Sequence, residues 1–453
     1  MDPLPSDKSQ SDTRDKFPGA KSQVMLQELS RYVIAEPYPF VIDLEHCTGM
    51  WLATVDGEKI FDWAGYFGSK LIGHNHPRLY EPEYLKRLAR AANNKVSNPD
   101  LLTPECLAYY RLLHEIAPEC MRNPRLEVYA VNSGAEAVEN LLKYFINLHD
   151  MKCLASRSVP GTRRILYFDQ AFHGRTVFAL NVTQLSHDPV ITKDFHGFIP
   201  GNLQVSFPDV NTDESPEANR ERARRSLGLV EDLLRRYCGE IAGIIVEPLQ
   251  GAGGHRTAEP EFFRGLSELA HRNDVPLGFD EVQTGGGAVG KMFACDLFDL
   301  PHPPQAVAVA KKFSNGAVYM LRPMEDHGIL DSTWGGSLAD MVRFVQEMRI
   351  VRDEKLIEAV PEKTAQLTDG LRALVAKYPS RIGNVRGLGL YQGFSLKPPL
   401  TSGEFTHRAL EEEQLLLLGA AGHSIRLRPN LNVTRSDIDL LLEKLDRLLS
   451  IQT

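Results

Sequence analysis

The sequence predicts an α/β protein in two parts: a large domain built on a mostly parallel sheet, and a smaller α+β domain. The first observation is an alternation, between residues 126 and 310, of short apolar runs with longer stretches of helical periodicity. Such alternation indicates parallel strands covered by helices on both faces. The second is a change of pattern after Trp334-Gly335-Gly336, where a long helical stretch leads into short strands and a last helix. That change predicts a second domain.

Composition and charge narrow the class of protein. The chain has 453 residues, which favours two domains or one large domain with an appendage. Its 43% hydrophobic and 24% charged residues are typical of a soluble globular protein. The formal net charge of -8 argues against general nucleic-acid binding, because phosphates need a basic excess. The apolar runs fall short of the ~20 residues of a membrane-spanning helix, so we expect neither nucleic acid nor a membrane as partner.

The cysteines bear on metal binding and on the compartment. There are six, without a CxxC pair and without a Cys/His cluster of metal-ligand spacing, so we expect no metal site. Scattered cysteines of this kind are typical of reduced thiols in a cytoplasmic protein. They are Cys47, Cys106, Cys120, Cys153, Cys238 and Cys295.

The N-terminal part is predicted to contain a tail and a hairpin. Residues 1–23 are rich in Ser, Asp, Lys and Pro and lack the apolar stretch of a secretory signal, which predicts a disordered tail. In residues 24–75, Asp56-Gly57 lies between two strand-like runs at 51–55 and 59–61. This pattern predicts a β-hairpin, and we expect the segment to pack with the small domain.

Residues 76–335 are predicted to form the large domain and residues 336–453 the small one. Strands are predicted at 126–131, 164–168, 241–246, 277–279 and 306–310, and helices at 105–116, 135–148, 221–237 and 260–272. In the small domain we expect a helical stretch at 338–377, strands at 384–390, 415–418 and 424–427, and a last helix at 436–449.

Four polar motifs follow predicted strands, where a parallel sheet places its ligand site. Ser133-Gly134-Ala135 opens a helix, which suits a phosphate. Phe172-His173-Gly174-Arg175 offers a ring that stacks and a guanidinium for a carboxylate. Asp280 closes an apolar strand, where a charged residue is rarely buried unless paired. Lys311-Lys312 offers an amine for a Schiff base.

Each motif alone has a structural alternative: a helix cap, a packed loop, a capping aspartate or a solvated turn. The combination favours chemistry. A phosphate cup, a stacking aromatic ring, a carboxylate and an amine are the partners that pyridoxal phosphate needs for its phosphate, ring, ring nitrogen and aldehyde.

The motifs resemble those of the class III pyridoxal-phosphate aminotransferases, in order and spacing, over nearly the whole chain after about residue 30. The resemblance implies a fold type I transferase whose small domain is built from both chain ends. The chain is most similar to the lysine 6-aminotransferase group, and next to the 4-aminobutyrate group. The segments that carry the resemblance are 132–137, 171–175, 247–251, 280–285 and Lys311 for the family, and 94–98, 332–336 and 425–429 for the lysine group.

The resemblance also implies roles for the site residues. Lys311, preferred to Lys312, is expected to be the Schiff-base lysine and general base. Asp280 is expected to keep the ring nitrogen protonated, so that the ring withdraws electrons from the substrate carbon. The other expected cofactor contacts are Ser133, Gly134 and Ala135 at the phosphate, Phe172 on the ring, Gln283 at the phenolic oxygen, and Thr333 reaching in from a second subunit. A site shared in this way implies a homodimer.

The substrates implied are an amino donor and 2-oxoglutarate. Arg175 is expected to bind the distal carboxylate, and Arg426 the α-carboxylate of glutamate or 2-oxoglutarate, since the guanidinium fork pairs bidentately with a carboxylate. Phe67 and Ala252 are expected to line the same pocket.

At Ala252 the chain departs from the family. The resemblance implies a glutamate there, which pairs with the arginine when an ω-amine without a nearby carboxylate is bound. An unpaired, partly buried Arg426 costs about 1–3 kcal/mol unless another group compensates. Three explanations stay open: another acidic residue replaces the glutamate, the donor keeps a carboxylate near the reacting carbon, or activity on lysine is poor.

Three functions follow. The first is transfer of the ε-amino group of L-lysine to 2-oxoglutarate. The second keeps the cofactor and changes the donor to 4-aminobutyrate, ornithine or an α-amino acid. The third, suggested only by Ala252, is a non-catalytic relative that binds or supports another molecule.

Overall fold

The structure, a computed structural model, describes residues 17–35, 37–195 and 197–451. The α-helices in these residues are α1 (Ala20–Leu29), α2 (Gly65–Gly68), α3 (Pro82–Asn93), α4 (Pro104–Glu115), α5 (Gly134–Ala155), α6 (Val177–Leu180), α7 (Pro216–Arg236), α8 (Pro260–Arg272), α9 (Leu338–Asp353), α10 (Val360–Lys377), α11 (Ser402–Glu413) and α12 (Arg435–Ser450).

The strands in the same residues are β1 (Trp51–Ala53), β2 (Lys59–Asp62), β3 (Glu127–Val131), β4 (Arg164–Phe168), β5 (Leu203–Val205), β6 (Ile241–Val246), β7 (Leu249–Gln250), β8 (Arg256–Thr257), β9 (Leu277–Asp280), β10 (Ala306–Val309), β11 (Gly316–Met320), β12 (Ile382–Leu388), β13 (Tyr391–Leu396), β14 (Leu415–Leu416), β15 (Leu418–Ala420) and β16 (Ser424–Leu427).

A seven-stranded sheet in the order β3-β11-β10-β9-β6-β4-β5 is the centre of the large part of the chain. Within the run β10-β9-β6-β4-β5, each strand is parallel to the next one in the sheet. Strand β11 is antiparallel to both β10 and β3. Every residue of β6, β9, β10 and β11 is buried. The predicted α/β class with a mostly parallel sheet is confirmed, and β11 is a strand that the sequence did not predict.

Both faces of the sheet are covered, because alternate residues of a strand point to opposite sides. Along β4, Ile165 and Tyr167 join an apolar cluster with α5, while Leu166 and Phe168 join the larger cluster with α7 and α8. Helix α5 lies close to the sheet because Gly243 leaves room for Phe145: a Cβ there would lie 2.1 Å from the Phe145 ring. The close packing fixes the N-terminus of α5 at the carboxyl edge of the sheet.

The N-terminal segment and the C-terminal part share a sheet. Strands β1 and β2 form the predicted hairpin, with Trp51 opposite Phe61. Strand β2 also pairs in parallel with β14, where Phe61 lies opposite Leu415. A second sheet of the C-terminal part, in the order β12-β13-β16-β15, is antiparallel throughout. The division of the chain into 24–75, 76–335 and 336–453 stays a prediction, and α9 packs against α3 and α4.

The tail prediction is wrong at its C-terminal end, and its first sixteen residues lie outside the described part of the chain. Helix α1 begins at Ala20, before the predicted boundary at Gln23. The Asp56 carboxylate, 35 residues away in sequence, accepts hydrogen bonds of 2.8 and 2.9 Å from the backbone N–H groups of Lys21 and Ser22. A carboxylate at a helix N-terminus is stabilising, and here it comes from the hairpin turn.

Two predicted elements of the C-terminal part also differ. The helical stretch at 338–377 is two helices, α9 and α10, because Pro361 has no N–H to continue a helix and lies in the first turn of α10. The single strand predicted at 384–390 is the hairpin of β12 and β13, which turns at Gly389 with φ +56°. Among the described residues, no helix combines the length and the apolarity needed to cross a membrane.

Candidate active site

A cavity of about 550 Å³ lies at the carboxyl edge of the large sheet. Ten of the twelve predicted site residues line it, drawn from segments that lie far apart in sequence; Ser133 and Thr333 are not among the lining residues. The ten are Phe67, Gly134, Ala135, Phe172, Arg175, Ala252, Asp280, Gln283, Lys311 and Arg426. The site therefore assembles where parallel strands end, as the rule for open α/β sheets states.

Asp280 lies on the inner wall of the cavity and is held by a histidine. The Nδ1 atom of His173 donates to Oδ2 of Asp280 over 2.7 Å, and the backbone N–H of Val282 donates to Oδ1. Burial alone would lower the pKa of His173, but the hydrogen bond and charge of Asp280 outweigh it and raise that pKa. The hydrogen bond from His173 keeps the carboxylate oriented.

Glu247 and Glu281 are two further buried carboxyl groups near Asp280. Burial raises the pKa of Glu247 to about 7, and its Oε1 atom accepts a 2.9 Å hydrogen bond from the N–H of Phe172. Glu247 therefore fixes the backbone of the aromatic residue that lines the cavity. Glu281 instead accepts from the backbone N–H groups of Ala294 and Cys295, at 2.8 and 2.7 Å, and so supports the loop below the site.

Lys311 and Lys312 point to different places. The Nζ atom of Lys311 lies in the cavity, 3.1 Å from the carbonyl oxygen of Phe67. Burial, and then the charge of Arg428, lower the pKa of Lys311 to about 7. Lys312 is buried outside the cavity lining, and its Nζ atom donates to the carbonyl groups of Gly68 and Gln283 and to the Tyr391 hydroxyl. Lys311 thus offers a reactive amine, whereas Lys312 joins its loop to Tyr391 of β13.

The N-terminus of α5 forms another wall of the cavity. Ser133 caps this helix, and its Oγ atom accepts from the N–H of Glu136 at 3.2 Å. Gly134 and Ala135 line the cavity, and the first N–H groups of a helix have no partner within it. A Cβ on Gly134 would lie 2.8 Å from Val282 Cγ1, so only glycine fits between the helix and the strand end. Free N–H groups and the helix dipole suit a phosphate.

Thr333 lies on a segment outside the cavity of its own chain. The side-chain amide of Asn98 donates to the carbonyl groups of Trp334 and Gly336, at 2.7 and 2.9 Å, and holds the segment in place. Thr333 itself is exposed. Its predicted contact with a cofactor in a second subunit stays a prediction.

Arg426, in β16, and Arg428, directly after this strand, form a further wall of the cavity. Nη1 of Arg426 donates to the carbonyl oxygen of Gly251 at 2.9 Å, and Nη2 donates to that of Gly419 at 2.6 Å. Burial lowers the pKa of Arg426 to about 10. Arg428 shares the Gly251 carbonyl at 3.1 Å, and its Nε donates to Nε2 of His255 at 3.0 Å. Two adjacent guanidinium groups make this wall a site for a carboxylate.

Several of these groups were not predicted from the sequence. Arg428 lies in the segment 425–429 that resembles the lysine group, but no role was predicted for it. His255 could not be predicted, because its partners come from the C-terminal sheet. Burial, and then the charge of Arg428, lower the pKa of His255, so a neutral ring accepts from the guanidinium. Glu247 had a usable signal, since it follows the wholly apolar strand β6.

The arrangement fits pyridoxal phosphate. The helix N-terminus, the carboxylate of Asp280, the amine of Lys311 and the ring of Phe172 all face one cavity. Gln283 also lines it, and its Oε1 atom is buried without a hydrogen-bond partner in the described part of the chain. A buried polar group of this kind needs a bound partner.

Three side chains of types that can bind a metal ion lie close together, away from the cavity. Ligand atoms of Cys120, Cys295 and Asp296 lie within 4.8 Å of one another. The two carboxylate oxygens of Asp296 already accept hydrogen bonds from the backbone N–H groups of Glu119 and Cys120, at 3.0 and 2.9 Å. The expectation of no metal site stays a prediction.

Comparisons with known proteins agree with this geometry. A sequence model of the family described as "Aminotransferase class-III" matches residues 33–449. The chain is 31% identical over 437 residues to the L-lysine-epsilon aminotransferase of Streptomyces clavuligerus, covering 94% of this chain and 93% of that protein. It is 30% identical over 448 residues to the mitochondrial 4-aminobutyrate aminotransferase of Rattus norvegicus, covering 92% and 86%.

Solved structures of aminotransferases are also similar to this chain. The lysine aminotransferase from Mycobacterium tuberculosis in the internal aldimine form superposes with a TM-score of 0.86 at 28% identity, covering 94% of this chain and 98% of that one. The ornithine aminotransferase of Toxoplasma gondii ME49 gives a TM-score of 0.77 at 22% identity, covering 94% of each chain. At that identity the likeness concerns the fold alone.

Proposed function

The chain belongs to the class III aminotransferase family, and on that premise we propose that it moves the ε-amino group of L-lysine to 2-oxoglutarate. The products are the 6-semialdehyde and L-glutamate. The family uses pyridoxal phosphate on the fold type I architecture, and the cavity has the groups to hold that cofactor. The observation that carries lysine as donor is the similarity to lysine-epsilon aminotransferases over 94% of the chain.

The cofactor, when bound, supplies an acceptor for the electron pair left on the substrate carbon when a proton departs. Asp280 supports this acceptor from the inner wall, because its carboxylate, held by His173 at 2.7 Å, stabilises a protonated ring nitrogen. Glu247 fixes the backbone of Phe172, whose aromatic ring would pack on the cofactor ring. The N-terminus of α5 would hold the cofactor phosphate.

Lys311 carries the proton. With a pKa lowered to about 7 by burial and by Arg428, its amine is poised to accept a proton near neutral pH. It takes the proton from the carbon that bears the amino group and returns one where the new carbon–hydrogen bond forms. Lys312 cannot take this role, since it does not line the cavity and its Nζ atom donates to three other groups.

The two arginine sites select the substrates. For 2-oxoglutarate, Arg426 binds the carboxylate next to the reacting carbon, and Arg175 binds the distal one. For the ε-end of lysine only methylene groups reach Arg426, and the carbonyl groups of Gly251 and Gly419 accept from its two Nη atoms. Its buried Nε atom has no partner among the described residues. This arrangement supports the use of both substrates in one cavity without a glutamate at Ala252.

We also propose a homodimer with shared sites, which is supported by the position of Thr333, exposed and outside its own cavity. The six free cysteines suit a cytoplasmic location. Sedimentation of the purified protein tests the assembly: a monomer that keeps full activity would contradict the shared site.

Donor choice is tested directly with a panel of amines and 2-oxoglutarate, with glutamate as the measured product. We expect L-lysine to give glutamate and a semialdehyde that cyclises. The second candidate donor is 4-aminobutyrate, which the 30% identity to the rat enzyme favours. A protein that converts 4-aminobutyrate but not lysine would replace the first proposal by the second. A protein that converts no ω-amine would contradict both.

A further inference from the structure

Two side chains of opposite charge line the cavity without pairing with each other. Arg175, an exposed residue, and Asp188, which is half-buried, both line the cavity. Neither side chain makes a hydrogen bond or an ion pair within the part of the chain that the structure describes. A carboxylate that is partly removed from water without a partner is destabilising, so its place in a ligand cavity calls for a cation.

The backbone holds Asp188 in a defined place relative to Arg175. The N–H of His173 donates to the hydroxyl of Thr183 at 2.9 Å, and the N–H of Gln184 donates to the carbonyl of Ala171 at 2.9 Å. Leu185 is 4% exposed and anchors the loop in the cavity wall. The loop that ends at Asp188 is thus tied to the strand-end segment that carries Arg175.

Structural roles within the protein do not account for the Asp188 carboxylate. It precedes a short helical turn but makes no side-chain capping bond to it. The neighbouring His187 supplies no cation at neutral pH, because partial burial, and then the charge of Arg426, lower the pKa of its ring. Arg426 donates to the carbonyl groups of Gly251 and Gly419 and not to Asp188.

We propose that Asp188 binds the α-ammonium group of the lysine donor while Arg175 binds the adjacent carboxylate. The inference rests on the proposed function and adds the residue that selects the donor. When the ε-amine of the substrate lies at the reacting end of the cavity, beside Lys311, the other end of lysine is a zwitterion. It has one ammonium and one carboxylate on the same carbon. The pair Asp188 and Arg175 complements both charges. A donor with a carboxylate alone, such as 4-aminobutyrate, leaves Asp188 without a partner.

The test compares two donors that differ only in the group that Asp188 would bind. The compound 6-aminohexanoate is L-lysine without its α-ammonium. The variant Asp188→Asn keeps the size of the side chain and removes its charge. Asp194→Asn is the matched control, since Asp194 is an exposed residue further along the same loop that does not line the cavity.

For Asp188→Asn we expect kcat/KM with L-lysine to fall about tenfold, mainly through KM, as loss of a partly solvated charge pair would give. With 6-aminohexanoate, followed as substrate or as competitive inhibitor, and with 2-oxoglutarate, we expect changes within about twofold. Asp194→Asn should match the parent with all three. An equal fall with both donors, or no fall with lysine, overturns the inference and leaves the proposed function standing. If the parent protein does not convert lysine, the proposed function itself fails.

Discussion

The guanidinium of Arg426 donates a 2.9 Å hydrogen bond to the carbonyl oxygen of Gly251, the residue next to Ala252. A second carbonyl, that of Gly419, accepts at 2.6 Å. In the part of the chain that the structure describes, no carboxylate pairs with Arg426. Neutral backbone groups therefore offset part of the predicted cost of an unpaired arginine, while the buried Nε atom of Arg426 has no partner among the described residues. An incoming α-carboxylate has no ion pair to displace.

A carboxylate introduced at position 252 should weaken the binding of 2-oxoglutarate. In Ala252→Glu the new side chain is expected to pair with Arg426, so that 2-oxoglutarate must displace it. We expect KM for 2-oxoglutarate to rise about tenfold, which corresponds to ~1.4 kcal/mol. Ala252→Gln is the control for size, and it should leave that KM near the parent value. A rise in both variants would indicate crowding and contradict the electrostatic explanation.

The two adjacent lysines should behave differently on substitution. Lys311→Ala should abolish the covalent attachment of cofactor, measured by borohydride reduction and mass mapping of the modified peptide. Lys312→Met should keep the attachment but lower the free energy of unfolding by about 2 kcal/mol, because the carbonyl groups of Gly68 and Gln283 lose their donor. Attachment that persists in Lys311→Ala and disappears in Lys312→Met would reverse the assignment.

The pH dependence of reconstitution follows from the pKa of Lys311. Burial, and then the charge of Arg428, lower this pKa from 10.5 to about 7, so the amine is neutral and nucleophilic above about pH 7 and protonated below it. Covalent binding of pyridoxal phosphate by the cofactor-free protein should therefore speed up about tenfold per pH unit below 7 and level off above it. Stopped-flow absorbance measures the rate. A rate that still climbs tenfold per unit two units above neutrality would contradict the lowered pKa.

Asp280 should be essential for turnover and for the charge of His173. In Asp280→Asn we expect kcat/KM to fall at least about 100-fold, or ~2.7 kcal/mol at 1.36 kcal/mol per tenfold. Burial would then be opposed only by the charge of Glu247, so the pKa of the His173 ring should drop, which ring-proton NMR measures. Activity within about threefold of the parent in a correctly folded variant would be incompatible with this role.

The sequence predicted those features of the fold and site that a local pattern of residues determines. Asp280 and Lys311 each close an apolar strand, and that local pattern placed them at one sheet edge. The cap that Asp56 provides to α1 and the bond from Arg428 to His255 join residues 34 or more positions apart, so no local pattern reports them. Strand β11 was missed because it follows β10 in antiparallel pairing with no α-helix between them, which breaks the alternation of strands and helices that predicted the other strands.

The specificity groups show the same limit. Asp188 had no signal, because a single aspartate before a proline is an ordinary turn residue. Only the anchoring of its loop through Thr183 and Gln184 places it in the cavity. The role of Arg426 could be expected from the resemblance, but its backbone partners could not, since Gly251 and Gly419 lie in separate parts of the fold.

In the proposed reaction, the amino group transferred is the ε-amino group of lysine. The most direct measurement follows nitrogen from isotopically labelled L-lysine into glutamate, with 2-oxoglutarate as acceptor and mass spectrometry as readout. With the label on the ε-nitrogen, the glutamate formed should carry it in full; with the label on the α-nitrogen, the glutamate should carry none. Label arriving from the α-position, or no glutamate from either form of lysine, would contradict the account.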